Sequence, residues 1–175
     1  MSGDGRRFGL AGARMTLFLW PQSPTEALGK LSERLAKVLQ AQAVSRYALT
    51  YRVLRRDEAK LLTLTTGDDK LHLMRDAEYC VLGSDFGNIL AKLKLWIPRQ
   101  TYKIEGTTFL LDGQTLKVGQ LSQGPTTRGL VVEYEGDLDA VLGPVRSLLS
   151  HSPEEVMLQS SQPFPQCYID LLQRL

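Results

Sequence analysis

The reading of the fold turns on Thr108–Glu135, TFLLDGQTLKVGQLSQGPTTRGLVVEYE. Asp112-Gly113 is a strong two-residue hairpin signal between the apolar run Thr108–Leu111 and the return run Thr115–Leu121. Gly124-Pro125 marks a second reversal. Gly129–Glu135 then alternates, with Val131, Glu133 and Glu135 on one face and Val132 and Tyr134 on the other. Three runs joined by tight turns must pair antiparallel.

Working outward, the same grammar repeats. Upstream, Tyr102–Glu105 is a strand candidate separated from Thr108 by Gly106, and Tyr47–Leu54 alternates with period two. Leu61–Thr65 and Lys70–Arg75 flank the turn Gly67-Asp68-Asp69, Glu78–Leu82 follows, and Met15–Trp20 is a short apolar strand near the start. Helical spacing takes over in three or four places. Ser23-Pro24-Thr25-Glu26 reads as a helix start, with Ala27, Leu28, Leu31, Leu35, Val38 and Leu39 buried through Gln42. Ser84 or Asp85 starts a second helix that buries Phe86, Ile89, Leu90, Leu93 and Trp96 and is stopped by Pro98. Asp137 or Asp139 caps a third, carrying Leu138, Val141, Leu142, Val145, Leu148 and Leu149 and interrupted by Gly143-Pro144. Tyr168, Ile169, Leu171, Leu172 and Leu175 give a terminal amphipathic helix.

The expected fold class is therefore α+β, an antiparallel β-barrel-like sheet of about eight strands with flanking helices. Rolling relieves the edge problem of a long antiparallel sheet. The 175 residues suit one domain over 14–175, with a loop around 150–165 before the terminal helix; the Gly/Arg-rich residues 1–13 are expected to be a disordered tail. No apolar signal-peptide core is visible near the start, and no apolar run approaches the ~20 residues of a membrane span. Two cysteines, Cys80 and Cys167, fit a reducing compartment.

Little points to chemistry. His72 and His151 have no partner motif, and there is no nucleophile elbow, phosphate loop or metal-ligand spacing. No cofactor and no metal are expected. One constellation stands apart: Glu133 and Glu135 share a strand face. In a barrel lumen such a pair holds a divalent cation in tunnel-type metal-dependent triphosphatases. The first strand, Met15–Trp20, lacks the acids those enzymes carry there. Arg52, Arg55, Arg56 and Lys60 gather around a polar turn with Asp57 and Glu58 among them, which reads as a solvated face. A net charge of +2 makes neither a membrane nor direct sequence-specific nucleic-acid binding the expectation.

Across Asp85–Glu135 the chain resembles the Mediator subunit 20 family, the TATA-binding-protein-related factor. The likeness runs through Leu90-Ala91-Lys92-Leu93-Lys94 and Lys103-Ile104-Glu105-Gly106. It peaks at Leu116-Lys117-Val118-Gly119, Gly124-Pro125, Arg128-Gly129 and Val132-Glu133. The resemblance implies a non-enzymatic, nuclear subunit of the Mediator head module acting as an activator in RNA polymerase II transcription. It implies a direct heterodimer with Mediator subunit 18 and attachment through subunit 8, with the TATA-binding protein and RNA polymerase II as further contacts. Lys117, Val118, Gly119, Gly124, Pro125, Arg128, Gly129 and Glu133 are then the fold or partner motif. The sheet edge and the loops around Leu121–Gly129 are the first candidate contact surface, and Phe18 and Trp20 the second.

Overall fold

In the computed structural model the described residues are 15–21, 26–76, 78–135, 158–160, 162 and 164–175. The tail over 1–13, the helix start at Ser23-Pro24 and the helix expected near 137–149 lie outside them. The described chain runs β1 (Met15–Pro21), α1 (Ala27–Lys37), β2 (Gln42–Arg56), β3 (Ala59–Thr66), β4 (Lys70–Arg75), β5 (Glu78–Gly83), α2 (Asp85–Leu93), β6 (Ile97–Leu111), β7 (Gln114–Gln123), β8 (Thr126–Glu135), β9 (Leu158–Ser160) and α3 (Gln166–Leu172). The strands form one antiparallel sheet in the order β5-β4-β3-β2-β6-β7-β8-β1-β9.

Both faces of this sheet are apolar, and that dictates the architecture. On the outer face, α1 packs Leu31 and Leu35 over Phe18, Trp20, Val118, Leu130, Val132 and Tyr134. Toward the β5 edge, Phe86 and Leu90 of α2 sit against Leu54, Leu61, Leu71 and Leu73. The inner faces of β1, β2, β3, β4, β6, β7 and β8 converge on α3 in a single cluster. Cys167, Tyr168, Ile169, Leu171 and Leu172 are all buried there. The rolled sheet is thus filled by the chain's own last helix.

Among the described residues no ladder joins β5 to β9, so the sheet rolls without closing. Aromatic rings bridge inward from the β5 edge instead. Tyr79 stacks on His72 with centroids 6.0 Å apart, His72 meets Phe164 edge-on at 4.7 Å, and Phe164 meets Tyr168 at 5.8 Å.

Several expectations change in detail. The two strands read on either side of Gly106 are one, β6. Gly106 does not break it; it lets β7 approach, since a Cβ there would lie 1.9 Å from the Val118 carbonyl oxygen. The first helix ends at Lys37 rather than Gln42, because Gln40 turns left-handed and the chain leaves the helix axis. The second ends at a left-handed Lys94, and Pro98 sits in β6. Ile89 and Leu93, expected to be buried, are exposed, although Phe86 and Leu90 on the same helix pack against the sheet. The stretch read as loop at 150–165 holds β9, which pairs with the free edge of β1. The hairpin at Asp112-Gly113 forms as read, both residues having positive φ.

Two glycine substitutions test the packing in opposite directions. Gly29, inside α1, has open space where a Cβ would go, so Gly29→Ala is expected to stabilise by about 0.5–1 kcal/mol. Gly106→Ala must push β6 and β7 apart and is expected to cost upwards of ~3 kcal/mol. Urea unfolding of the two variants checks both signs.

Candidate functional site

The inward alternation of β8 carries Glu133 into the roll, where its side chain is 7% exposed. A carboxylate at that depth needs partners. Directly across the ladder stands Lys117 of β7, whose Nζ donates to Oε1 at 2.5 Å. The Tyr168 hydroxyl of α3 donates to the other oxygen. Tyr47 of β2 lies 2.5 Å from the Tyr168 oxygen. With the Tyr168 hydroxyl hydrogen directed at Glu133, Tyr47 is the donor of that second bond. The Tyr47 ring also faces Lys117 Nζ, 5.8 Å from its centroid. The network therefore runs Tyr47 to Tyr168 to Glu133, closed by Lys117, and it ties β2, β7, β8 and α3 together.

Burial keeps the two phenols protonated. The Tyr47 phenol is pushed well up by burial and then by the Glu133 charge. Tyr168 is raised by burial, then by Tyr47 and Glu133. The neighbouring Cys167 thiol is pushed up to about 12, mainly by burial, so at neutral pH it is no nucleophile. His72 is shifted down by burial, and its Nδ1 lies 2.7 Å from the Tyr79 hydroxyl.

A cavity of about 590 Å³ opens at this end of the roll, over Tyr47, His72, Lys117, Glu133, Phe164 and Tyr168, with Arg46, Asp68 and Lys70 on its rim. Its charges are matched in pairs. Arg46 binds Glu105 at 2.8 Å, Lys70 binds Asp68 at 2.7 Å, and Lys117 binds Glu133. Asp68 is held down at about 2 by Lys70 and the Thr66 hydroxyl. A triphosphate or a cation entering here would have to break these pairs. Glu135, the second acid of the expected pair, lies exposed at the strand end. Glu133 is buried, and both its oxygens are engaged by Lys117 and Tyr168 rather than free for a metal. Among the described residues no group of three His, Cys, Asp or Glu side chains is placed to hold an ion.

The sequence motif falls into two places. Lys117, Gly119 and Glu133 are on the inner face; Val118 is on the outer face, packed under α1. Gly119 admits Ile104 and the Tyr47 ring, for a Cβ there would stand 2.6 Å from Ile104 Cγ2 and 3.0 Å from Tyr47 Cδ1. Gly124 and Pro125 form the exposed β7–β8 turn, and Arg128 closes its base, donating Nε and Nη2 to the Gln123 side-chain oxygen at 3.0 and 2.6 Å. Gly129 lets β1 approach, with a Cβ there 2.3 Å from the Trp20 carbonyl oxygen. Phe18 and Trp20, read as a second contact surface, are buried beneath α1 and unavailable. Sequence reasoning missed Tyr47 and Tyr168; the alternation of Tyr47, Leu49, Tyr51 and Val53 was the one local signal for the first.

A family model described as the TATA-binding related factor (TRF) of subunit 20 of the Mediator complex matches residues 14–169. No curated protein matches the sequence. Among solved structures, a chain of the Schizosaccharomyces pombe Mediator head module is similar at 11% identity and a TM-score of 0.47, covering 83% of this chain and 100% of that one. A protein of Pyrococcus horikoshii OT3 is similar at 13% identity and a TM-score of 0.47, covering 89% and 98%. The RNA triphosphatase of S. pombe is similar at 8% identity and a TM-score of 0.43, covering 82% and 78%. These structural likenesses are remote; the family model is the specific match.

Two outcomes follow from the network. Lys117→Met strands a buried carboxylate and is expected to cost about 2 kcal/mol or more, less than a fully buried pair because Lys117 keeps part of its chain in water. Adding Glu133→Met is expected to recover most of that loss in urea unfolding. For His72 the folded state favours the neutral ring, so an unfolded chain takes up the proton first. Its share of the stability is present above about pH 6.5 and is lost as pH falls below that. Thermal melts between pH 7.5 and 5 are expected to decline less steeply in His72→Phe than in the parent.

Proposed function

This chain belongs to the family of subunit 20 of the Mediator complex, and from that premise we propose that it is a non-enzymatic subunit of the Mediator head module. It works in the nucleus in RNA polymerase II transcription, on the activating side. Its direct partner is Mediator subunit 18, with attachment through subunit 8, and the TATA-binding protein and RNA polymerase II are its further contacts.

The observation that carries the non-enzymatic reading is the filled interior. Glu133, the residue best placed for catalysis, has both oxygens engaged by Lys117 and Tyr168. The same observation opposes the tunnel-type triphosphatase. The motif Lys117, Val118, Gly119, Gly124, Pro125, Arg128, Gly129 and Glu133 acts first on the fold, and its exposed turn around Gly124 and Pro125 is left for a partner. The outer surface supports an assembly role. Tyr79 and Val81 on β5, an edge strand among the described residues, and Ile89, Leu93 and Leu95 in and just after α2 are exposed large apolar residues. An open edge and exposed apolar side chains are what an interface covers.

Co-expression with Mediator subunit 18 tests the reading. One stoichiometric complex is expected on size exclusion, with a higher melting temperature than this chain alone. A chain that elutes as a monomer beside subunit 18, with an unchanged melt, contradicts it.

A further inference from the structure

At the end of the roll opposite the Glu133 network, three cations share a cleft. Arg55 of β2 lies directly across the ladder from Lys60 of β3, a like-charge pairing that costs a sheet stability. The third is delivered by a β-bulge. Val53 pairs with Gln100 and Leu54 with Pro98, so Arg99 is the extra residue with no counterpart on β2. A bulge re-aims the side chain it carries. Here Arg99 lines the same cleft as Arg55 and Lys60. Arg52 and Arg56, which look like members of the same cluster in sequence, alternate to the other face of β2. The cleft measures about 620 Å³ and is completed by Val53, Asp57 and Gln100. Among the described residues no ion pair involves Arg55, Lys60 or Arg99.

The backbone beside the cleft is also open. β7 pairs with β6 only from Lys103 onward, so Ile97–Tyr102 has β2 on one side and, among the described residues, no strand on the other. An unpaired stretch of strand accepts an extended peptide by main-chain hydrogen bonding.

We propose that this cleft docks an acidic peptide segment of a partner protein, extended along Ile97–Tyr102 with its carboxylates on Arg55, Lys60 and Arg99. Guanidinium forks match carboxylates in a bidentate way. A nucleic acid is disfavoured by three features. No aromatic ring lines the cleft for a base to stack on. Asp57 interrupts the path of a continuous phosphate chain. The net charge of +2 supplies no long-range field. The site is separate from the apolar β5 edge and stands whether or not subunit 18 is the partner there.

The test is fluorescence anisotropy on the full chain with a fluorescein-labelled peptide of alternating Glu and Thr, about ten residues long. Binding is expected at low salt and should weaken as ionic strength rises. Arg55→Glu with Arg99→Glu is expected to lower affinity at least ~tenfold. Arg99→Gln alone should lower it about threefold. Lys30→Glu, an exposed cation on α1 outside the cleft, should leave it unchanged. Thermal melts should be unchanged in Arg99→Gln and no lower in the double variant, where a carboxylate at position 55 would face Lys60. The proposal is overturned if a Gln/Thr peptide binds equally well or if the Arg variants bind like the parent. It is equally overturned if single- or double-stranded DNA displaces the peptide and loses the same affinity in the Arg variants.

Discussion

A carboxylate cannot sit inside a rolled sheet without company, and the structure is arranged around that constraint. Glu133 arrives inside because β8 alternates, and Lys117 meets it because the β7–β8 register places the two directly opposite. Tyr168 completes the set only if α3 lies within the roll. The same placement buries Cys167, Ile169, Leu171 and Leu172 and keeps Tyr47 and Tyr168 protonated. One ionisable group thereby links the order of the strands to the seat of the terminal helix. It also engages the one buried acid among the described residues.

The outer face obeys a simpler rule. Two amphipathic helices, α1 and α2, cover part of the convex sheet, and among the described residues they leave the β5 edge and Ile89 and Leu93 of α2 exposed. The two ends of the roll differ in character. Around Glu133 the charges are matched, and the protein has nothing to offer an ion. Around Arg99 they form no ion pair among the described residues, and a bulge brings a third cation to the other two. A fold that neutralises one end and leaves the other charged is better suited to gripping a chain than to holding a substrate.

Much of this was legible residue by residue. Asp112-Gly113 and Gly67-Asp68-Asp69 reported their hairpins, and the alternation of Gly129–Glu135 put Glu133 with Val131. The face that turns inward was not legible, because Val131 and Val132 are both buried and alternation alone cannot rank two apolar faces. Gly106 read as a break because a glycine between strands commonly is one; here β7 presses against it. The terminal helix read as amphipathic, yet Cys167, Tyr168 and Ile169 are consecutive and all buried, since an enclosing sheet removes the solvent side. The Tyr168–Glu133 contact spans 35 residues, and the Arg99 bulge exists only in the pairing of β6 with β2, so neither left a local trace.

The account stands on α3 being seated inside the sheet rather than resting against it. Hydrogen exchange read by mass spectrometry on the intact chain measures this directly. Amides of Gln166–Leu172 are predicted to exchange as slowly as those of β8 and to open with it on denaturant titration. Exchange of that helix at the rate of a free peptide, while β8 stays protected, would contradict the filled interior.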